Sequence, residues 1–331
     1  RDLVRSRGLG DVYKRQGIAL GKFPGVALDR VGIALLGAIA MVAFGILTPE
    51  SAFRAIDLST ILLLYSLMII SAQLRLGGFY TWSALKVLTL LARPKRFLLA
   101  LMLLSALLSA VLANDIVCFA FTPVLAAALI QAQLNPLPFL LGLAVGSNIG
   151  SAATIIGNPQ NMLIGQMGQL DFGAFFLWCG PPSFIALVAG YGIILLLYRK
   201  KLATKYNGPL LRQGQDWPAF DRWQTTKGLL AVGALIVLFF TPLPREVSAI
   251  SIAGILLCSR RQKTRDILGL VDWHLITLFC ALFIIIQGIL QNEMVPDFVA
   301  RMAALGLDLH NLPLLTVIST ILSNLFSNVP A

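Results

Sequence analysis

Apolar runs of about 15 to 20 residues, nearly free of charge, recur from Val31 to the end of this chain. A helical run of 17 residues covers roughly 26 Å at about 1.5 Å per residue, close to the hydrocarbon thickness of a bilayer. The spans read from the sequence are Val31–Leu47, Leu58–Leu74, a hairpin of Phe97–Ala113 and Ile116–Ile130, Leu137–Gly165, Phe172–Tyr198, Gly228–Thr241, Val247–Cys258, Trp273–Leu290 and Leu312–Phe326. Such a number of runs cannot share one aqueous core. Charged residues make up 12% of the 331 positions, about half the roughly 25% of soluble domains. The fold class is an all-α polytopic membrane protein.

The net charge of +11 does not form a nucleic-acid patch, because Lys and Arg sit in short clusters between the apolar runs. Such clusters fix topology. With a cytoplasmic N-terminus and a hairpin at Phe97–Ile130 that returns to its own side, 23 Lys/Arg face the cytoplasm and 3 face outward. A single crossing there would turn RKKLATK and SRRQKTR outward, so the count favours a re-entrant hairpin or a two-span turn. The expected location is the cytoplasmic (inner) membrane of a prokaryote. Cys118, Cys179, Cys258 and Cys280 lie in apolar segments without metal-ligand spacing and read as small core residues. His274 and His310 sit near span ends. Neither an aspartate pair nor a Ser–His or metal-ligand set occurs within the spans, so the chain is not read as an intramembrane enzyme, and no cofactor is expected. Residues 1–16 (RDLVRSRGLGDVYKRQ) resemble a translated adapter and are read as a non-native tail. Both natural termini are expected to lie outside the given sequence.

An internal repeat appears at an offset of about 215 residues. Ile56-Asp57-Leu58 corresponds to Val271-Asp272-Trp273, Arg30 to Arg245, and the pair Ser109 and Asn114 to Ser323 and Asn328. The charge count places the two copies in opposite orientations. The domains are therefore a first repeat over 17–200, with a hairpin at about 97–130 and an unwound segment at about 147–161; a cytoplasmic linker over 201–227; and a second, inverted and incomplete repeat over 228–331. Inverted repeats with broken helices near the midplane are the architecture of secondary transporters.

The chemistry concentrates in the first repeat. Asp115 is the only acidic residue in the hairpin and spans, next to Asn114. Downstream come Gly146-Ser147-Asn148-Ile149-Gly150-Ser151, Thr154 and Gly157-Asn158-Pro159-Gln160-Asn161. This Gly/Ser/Asn/Pro-rich stretch is expected to break the helix. Irregular backbone at membrane depth is tolerated where it is buried or lines a wet cavity. Half-helix N-termini suit an anion, and Asn, Ser and Thr oxygens near Asn114, Asp115 and Asn148 suit Na⁺. The alternative is that these polar groups only cap broken helices or bond across helix pairs. Asp115 is either a cation ligand, a carrier of the coupling proton, or a solvated cap of the second arm.

SALLSAVLANDIVCFAFTPV and GSNIGSAATIIGNPQNMLIG resemble the ion transporter superfamily, and AIDLSTILLLYSLMIISAQLRLGGF and ISTILSNLFSNVPA fit the same pattern. That group holds divalent anion–sodium symporters, citrate–metal transporters, arsenite efflux permeases and NhaD-type sodium–proton antiporters; this chain looks like a citrate–metal permease. The resemblance covers Asp29 to Ala331. It implies an inverted-repeat, alternating-access carrier with re-entrant hairpins and broken helices, in which Asn114 takes the place of the hairpin-tip Asn that helps bind substrate and sodium. Ala113 and Asp115 depart from the Ser-Asn-Thr tip of the symporters. Gly157, Asn158 and Asn161 fall in the implied unwound segment, and Ser323, Asn324 and Asn328 in the implied second hairpin. The function expected is ion-coupled transport of a small anion, a carboxylate by preference, with a cation–proton antiporter or an arsenite-type permease as the alternative. Relatives of this kind are often homodimers.

Overall fold

A computed structural model describes residues 29–203, 219–259, 261–291 and 311–326, with the side chains of 322–326 excepted. Among them every regular element is helical. The α-helices are α1 (Arg30–Ala43), α2 (Pro49–Ala55), α3 (Leu58–Leu76), α4 (Phe79–Leu88), α5 (Pro94–Ser109), α6 (Asn114–Gln131), α7 (Leu137–Ala152), α8 (Pro159–Met167), α9 (Phe172–Leu197), α10 (Arg222–Phe239), α11 (Arg245–Leu257), α12 (Thr264–Leu268), α13 (Trp273–Gln291) and α14 (Leu312–Phe326). Of these, α3, α6, α9 and α13 are long and apolar enough to cross a membrane. The tail 1–16, His310 and Asn328 lie outside the described residues, as does most of the linker. Ser323 and Asn324 lie on α14, where only the backbone is described.

The helix starts repeat at the spacing of the sequence repeat. Arg30 and Arg245 open α1 and α11, Pro49 and Thr264 open the short helices α2 and α12, and Leu58 and Trp273 open α3 and α13. Asp57 accepts from Thr60 N at 2.9 Å, and Asp272 accepts from Leu275 N at 3.0 Å, the same N-cap bond in both copies.

The chain packs as two compact units that do not follow the repeat boundaries. Among the described residues, one holds those up to 61 and those from 272 onward, the other those between 62 and 271. In the first, α13 lies along α1 and α2. Gly37 faces Ile285 and Gly288 faces Met41, and Ala34, Ala38 and Ala281 fill the seam. In the second unit, α5 runs along α7, α7 also packs on α6 and α9, α4 covers α6 and α5, and α10 pairs with α11.

Two features of the structure differ from the sequence reading. The stretch 75–96, left between the spans read from the sequence, contains α4, with Phe79, Tyr80, Ser83, Ala84, Val87 and Leu88 buried. Gly78, at φ 72°, turns the chain between α3 and α4. The cysteines are less buried than a core role implies: Cys118, Cys179 and Cys280 are half-buried and Cys258 is exposed.

The α3–α4 corner also holds the start of α10. Gln73 Nε2 donates to Gln224 Oε1 at 2.6 Å, Thr225 Oγ1 donates to Gly77 O at 3.1 Å, and Asp221 N donates to the same carbonyl at 3.0 Å. Trp82 stacks on Phe220 with centroids 5.1 Å apart. Gln73 and Gln224 are both buried. Gln73→Leu should therefore lower stability by about 1–3 kcal/mol, because Gln224 Oε1 loses its donor where water cannot replace it. Thermal unfolding in detergent is the measurement, and an unchanged midpoint would show that the carboxamide pair does not hold this corner.

Candidate functional site

The site forms where two interruptions meet. The α5–α6 hairpin turns through 110–113, and the α7–α8 pair is broken over 153–158. Ala113, at φ 36°, is a buried non-glycine residue in the left-handed region, a conformation costing about 1–2 kcal/mol that the surrounding packing must hold. It delivers Asn114 N to Gly157 O at 3.1 Å, so the hairpin tip is bonded to the break in the neighbouring helix.

Close approach makes that meeting feasible. Gly142, Gly146 and Gly150 form a one-turn-spaced row on α7. A Cβ at these positions would strike Leu98, Ser105 Oγ and Met102 O, and the Ala106 backbone of α5, respectively. Small residues four apart let membrane helices touch along their backbones. This also corrects the expected unwinding over 147–161: α7 stays regular through Ala152 and the break is shorter, over 153–158. The glycines serve a helix contact and do not loosen the helix, whose polar side chains bond within the cluster.

Most of the candidate polar groups are occupied in holding this crossing. Ser147 Oγ donates to Asn114 O at 3.0 Å and accepts from Ser109 Oγ at 2.6 Å. Thr154 Oγ1 donates to Ala110 O, tying the break to the hairpin turn. Ser151 Oγ donates to Asn148 O at 2.8 Å. Asn158 caps α8 by accepting from Asn161 N at 2.8 Å, and its Nδ2 reaches Ser151 O at 3.3 Å. Asn161 Nδ2 donates to Thr154 O at 2.8 Å. Gly157 packs on the Ser151 backbone with no room for a Cβ. Ser109, Ser147, Ser151 and Thr154 are buried, so these hydroxyls act as framework.

The remaining groups are Asn114, Asp115 and Asn148. Asn114 Nδ2 donates to Asn148 Oδ1 at 3.1 Å, while Asn114 Oδ1 is buried and accepts no hydrogen bond. Asn148 and Asp115 are exposed, and Asp115 supplies the only formal charge among these side chains. The N-termini of α6 and α8 both end at the Asn114–Gly157 contact, and each carries a partial positive charge from its peptide dipoles. The C-terminal ends of α5 and α7 bring carbonyls to the same place. The structure thus brings together Asn114, Asp115, Ser147, Asn148, Thr154, Gly157, Asn158 and Asn161. Missing from the sequence reading were Ala113, whose positive φ has no sequence signal, and the Gly142–Gly146–Gly150 row, whose four-residue spacing was visible.

Helix interruptions meeting at a polar centre, with every regular element among the described residues helical and several long enough to span a bilayer, are the pattern of a membrane transporter. The sequence matches the citrate transporter family over residues 18–331, and the chain belongs to that family. It is 35% identical over 177 residues to the putative transporter arsB of Dictyostelium discoideum, covering 53% of this chain and 31% of that protein. It is 29% identical over 322 residues to the 46 kDa membrane protein of Mycobacterium leprae, covering 92% of this chain and 75% of the relative. Over 191 residues it is 34% identical to the silicon efflux transporter LSI3 of Oryza sativa subsp. japonica, covering 55% and 38%. The chain is a multi-pass transporter, not an enzyme.

Proposed function

We propose that this protein is an ion-coupled secondary carrier that moves a small anion, a carboxylate by preference, by alternating access. The observation that carries this reading is the convergence of two helix N-termini on the Asn114–Gly157 contact, a ready anion seat. Asn114 Oδ1, buried without a donor, has the chemistry of a ligand for a coupling Na⁺, with Asp115 and Asn148 beside it. Anion and cation held at neighbouring points would neutralise each other, so the loaded site would cross the low-dielectric centre more cheaply than either ion alone. By their sequence correspondence to Ser109 and Asn114, Ser323, Asn324 and Asn328 are proposed as further binding residues. A homodimer in an inner membrane, with the N-terminus cytoplasmic, is the assembly we propose.

One feature favours a second reading. Asp115 places an exposed carboxylate next to Asn114, which suits proton exchange or a neutral oxyacid better than a bare anion. That would make the protein a cation–proton antiporter or an arsenite-type efflux permease, and the rice relative's name, a silicon efflux transporter, agrees with the efflux variant.

The test is uptake of a labelled carboxylate panel by the full-length protein in liposomes, under imposed sodium and proton gradients. In a symporter, Asp115→Asn changes ion dependence and leaves residual substrate binding. No uptake, combined with a sodium-driven pH change that Asp115→Asn abolishes, would sink the anion reading in favour of the antiporter.

A further inference from the structure

We propose that a groove between α5, α7 and α9 binds one acyl chain of a bilayer phospholipid. The groove encloses about 460 Å³, within the range of roughly 300–1,000 Å³ typical of small-ligand sites. Its inner wall is Ala106 and Ala110 of the hairpin side with Ile149, Gly150 and Ala153 of the broken pair; its outer wall is α9 from Phe176 to Leu187. Among the described residues Ser183 is the only polar side chain lining it, and no charged one does. Water gains too few partners in such a space to fill it, and a lipid headgroup would find nothing to pair with. A hydrocarbon chain fits both conditions.

The outer wall also says where the occupant comes from. Leu177 and Phe184 line the groove and are 73% and 63% exposed, and the neighbouring Trp178 is 81% exposed. The groove is therefore continuous with the outward face of α9, a helix long and apolar enough to span the bilayer. In a membrane protein that face meets acyl chains at high concentration, and entry needs only sideways movement. The inner wall is the back of the crossing: Ala110 O takes the Thr154 hydroxyl, and Ala153 begins the break. An inserted chain lies directly against the two interruptions whose contact defines the transport site.

The experiment uses the full-length protein in phosphatidylcholine vesicles doped with a phosphatidylcholine that carries a diazirine midway along one acyl chain. After irradiation, labelled peptides are identified by mass spectrometry. The expected result is label on Ala106, Ala110 or Ala153 as well as on Trp178. Ala106 and Ala153 line the groove and are only 8% and 9% exposed. Gly180→Leu should remove the inner-wall label and keep that on Trp178. A Cβ at Gly180 meets only the Phe176 ring, at 3.5 Å, so the larger side chain fills the groove without striking backbone. Label confined to Trp178 in the wild type overturns the proposal, as does inner-wall label that persists in Gly180→Leu. A wall left unlabelled because a second copy of the chain covers it, seen as cross-links between copies at α9, overturns it too.

Discussion

Gly150→Leu is expected to destabilise the protein by about 3 kcal/mol or more, at or beyond the top of the usual range for overpacking. A Cβ at this position would overlap the carbonyl and Cα of Ala106, which are backbone atoms of α5 and cannot rotate aside. The two helices must separate, and separation breaks Ser109–Ser147 and Thr154–Ala110, the bonds that register the hairpin on the broken pair. With total stabilities commonly about 5–15 kcal/mol, such a loss should appear as a sharply lower unfolding temperature in detergent and poor recovery of folded protein. Gly192→Leu is the control, because nothing lies within 4 Å of a Cβ there. Equal melting of the two variants would show that α5 and α7 do not touch along this row.

Asn114→Ala should produce the opposite pattern: transport falls by about 100-fold, equivalent to about 2.7 kcal/mol at 1.36 kcal/mol per decade, while the melting temperature hardly moves. Alanine keeps the backbone N–H bonded to Gly157 O and the carbonyl that accepts from Ser147. What disappears is one side-chain bond to the exposed Asn148 and the buried Oδ1 that no protein donor satisfies. An ion-bound carbonyl oxygen accounts for the loss of rate, since hydrogen bonds and ion contacts to charged groups are worth about 1.5–3 kcal/mol. Initial uptake rates in liposomes, paired with thermal unfolding of the same preparations, separate the two effects. Intact uptake would remove Asn114 from the site, and a fallen melting temperature would make it a framework residue like Ser147.

The membrane class was legible because the bilayer imposes a length and a polarity on every span. Nine of the ten segments read from hydropathy each meet one observed helix, and Leu312–Phe326 coincides with α14. The tenth, Leu137–Gly165, was rightly read as broken, because Pro159 has no N–H and its preceding residue avoids helical backbone. The extent of the break was misjudged because glycine in sequence is ambiguous. At Gly146 and Gly150 it permits contact between helices, and only the neighbour on the other side of the contact decides that. The helix α4 was passed over for a similar reason. Its buried residues Phe79, Tyr80, Ser83, Ala84, Val87 and Leu88 carry helical spacing, but ten residues flanked by Arg75 and Arg93 are too short to register as a span.

The sequence by itself determined the class of protein, the order of its helices, the repeat at about 215 residues and the two places where a helix must stop. Those follow from local rules: apolar length, charge between spans, proline and capping aspartates. Only the tertiary structure decided which polar residues are spent on protein partners and which are left over. Ser147 and Thr154 look as eligible as Asn114 in sequence, yet their hydroxyls are spent on Asn114 O and Ala110 O. Asn114 alone among these three keeps a buried oxygen without a donor. The tertiary structure also grouped the helices into units that mix the two repeats, with α1 against α13 and α10 against the α3–α4 corner. Hydrogen-bond saturation and close helix contact depend on partners 30 to 150 residues away, and local sequence rules do not reach that far.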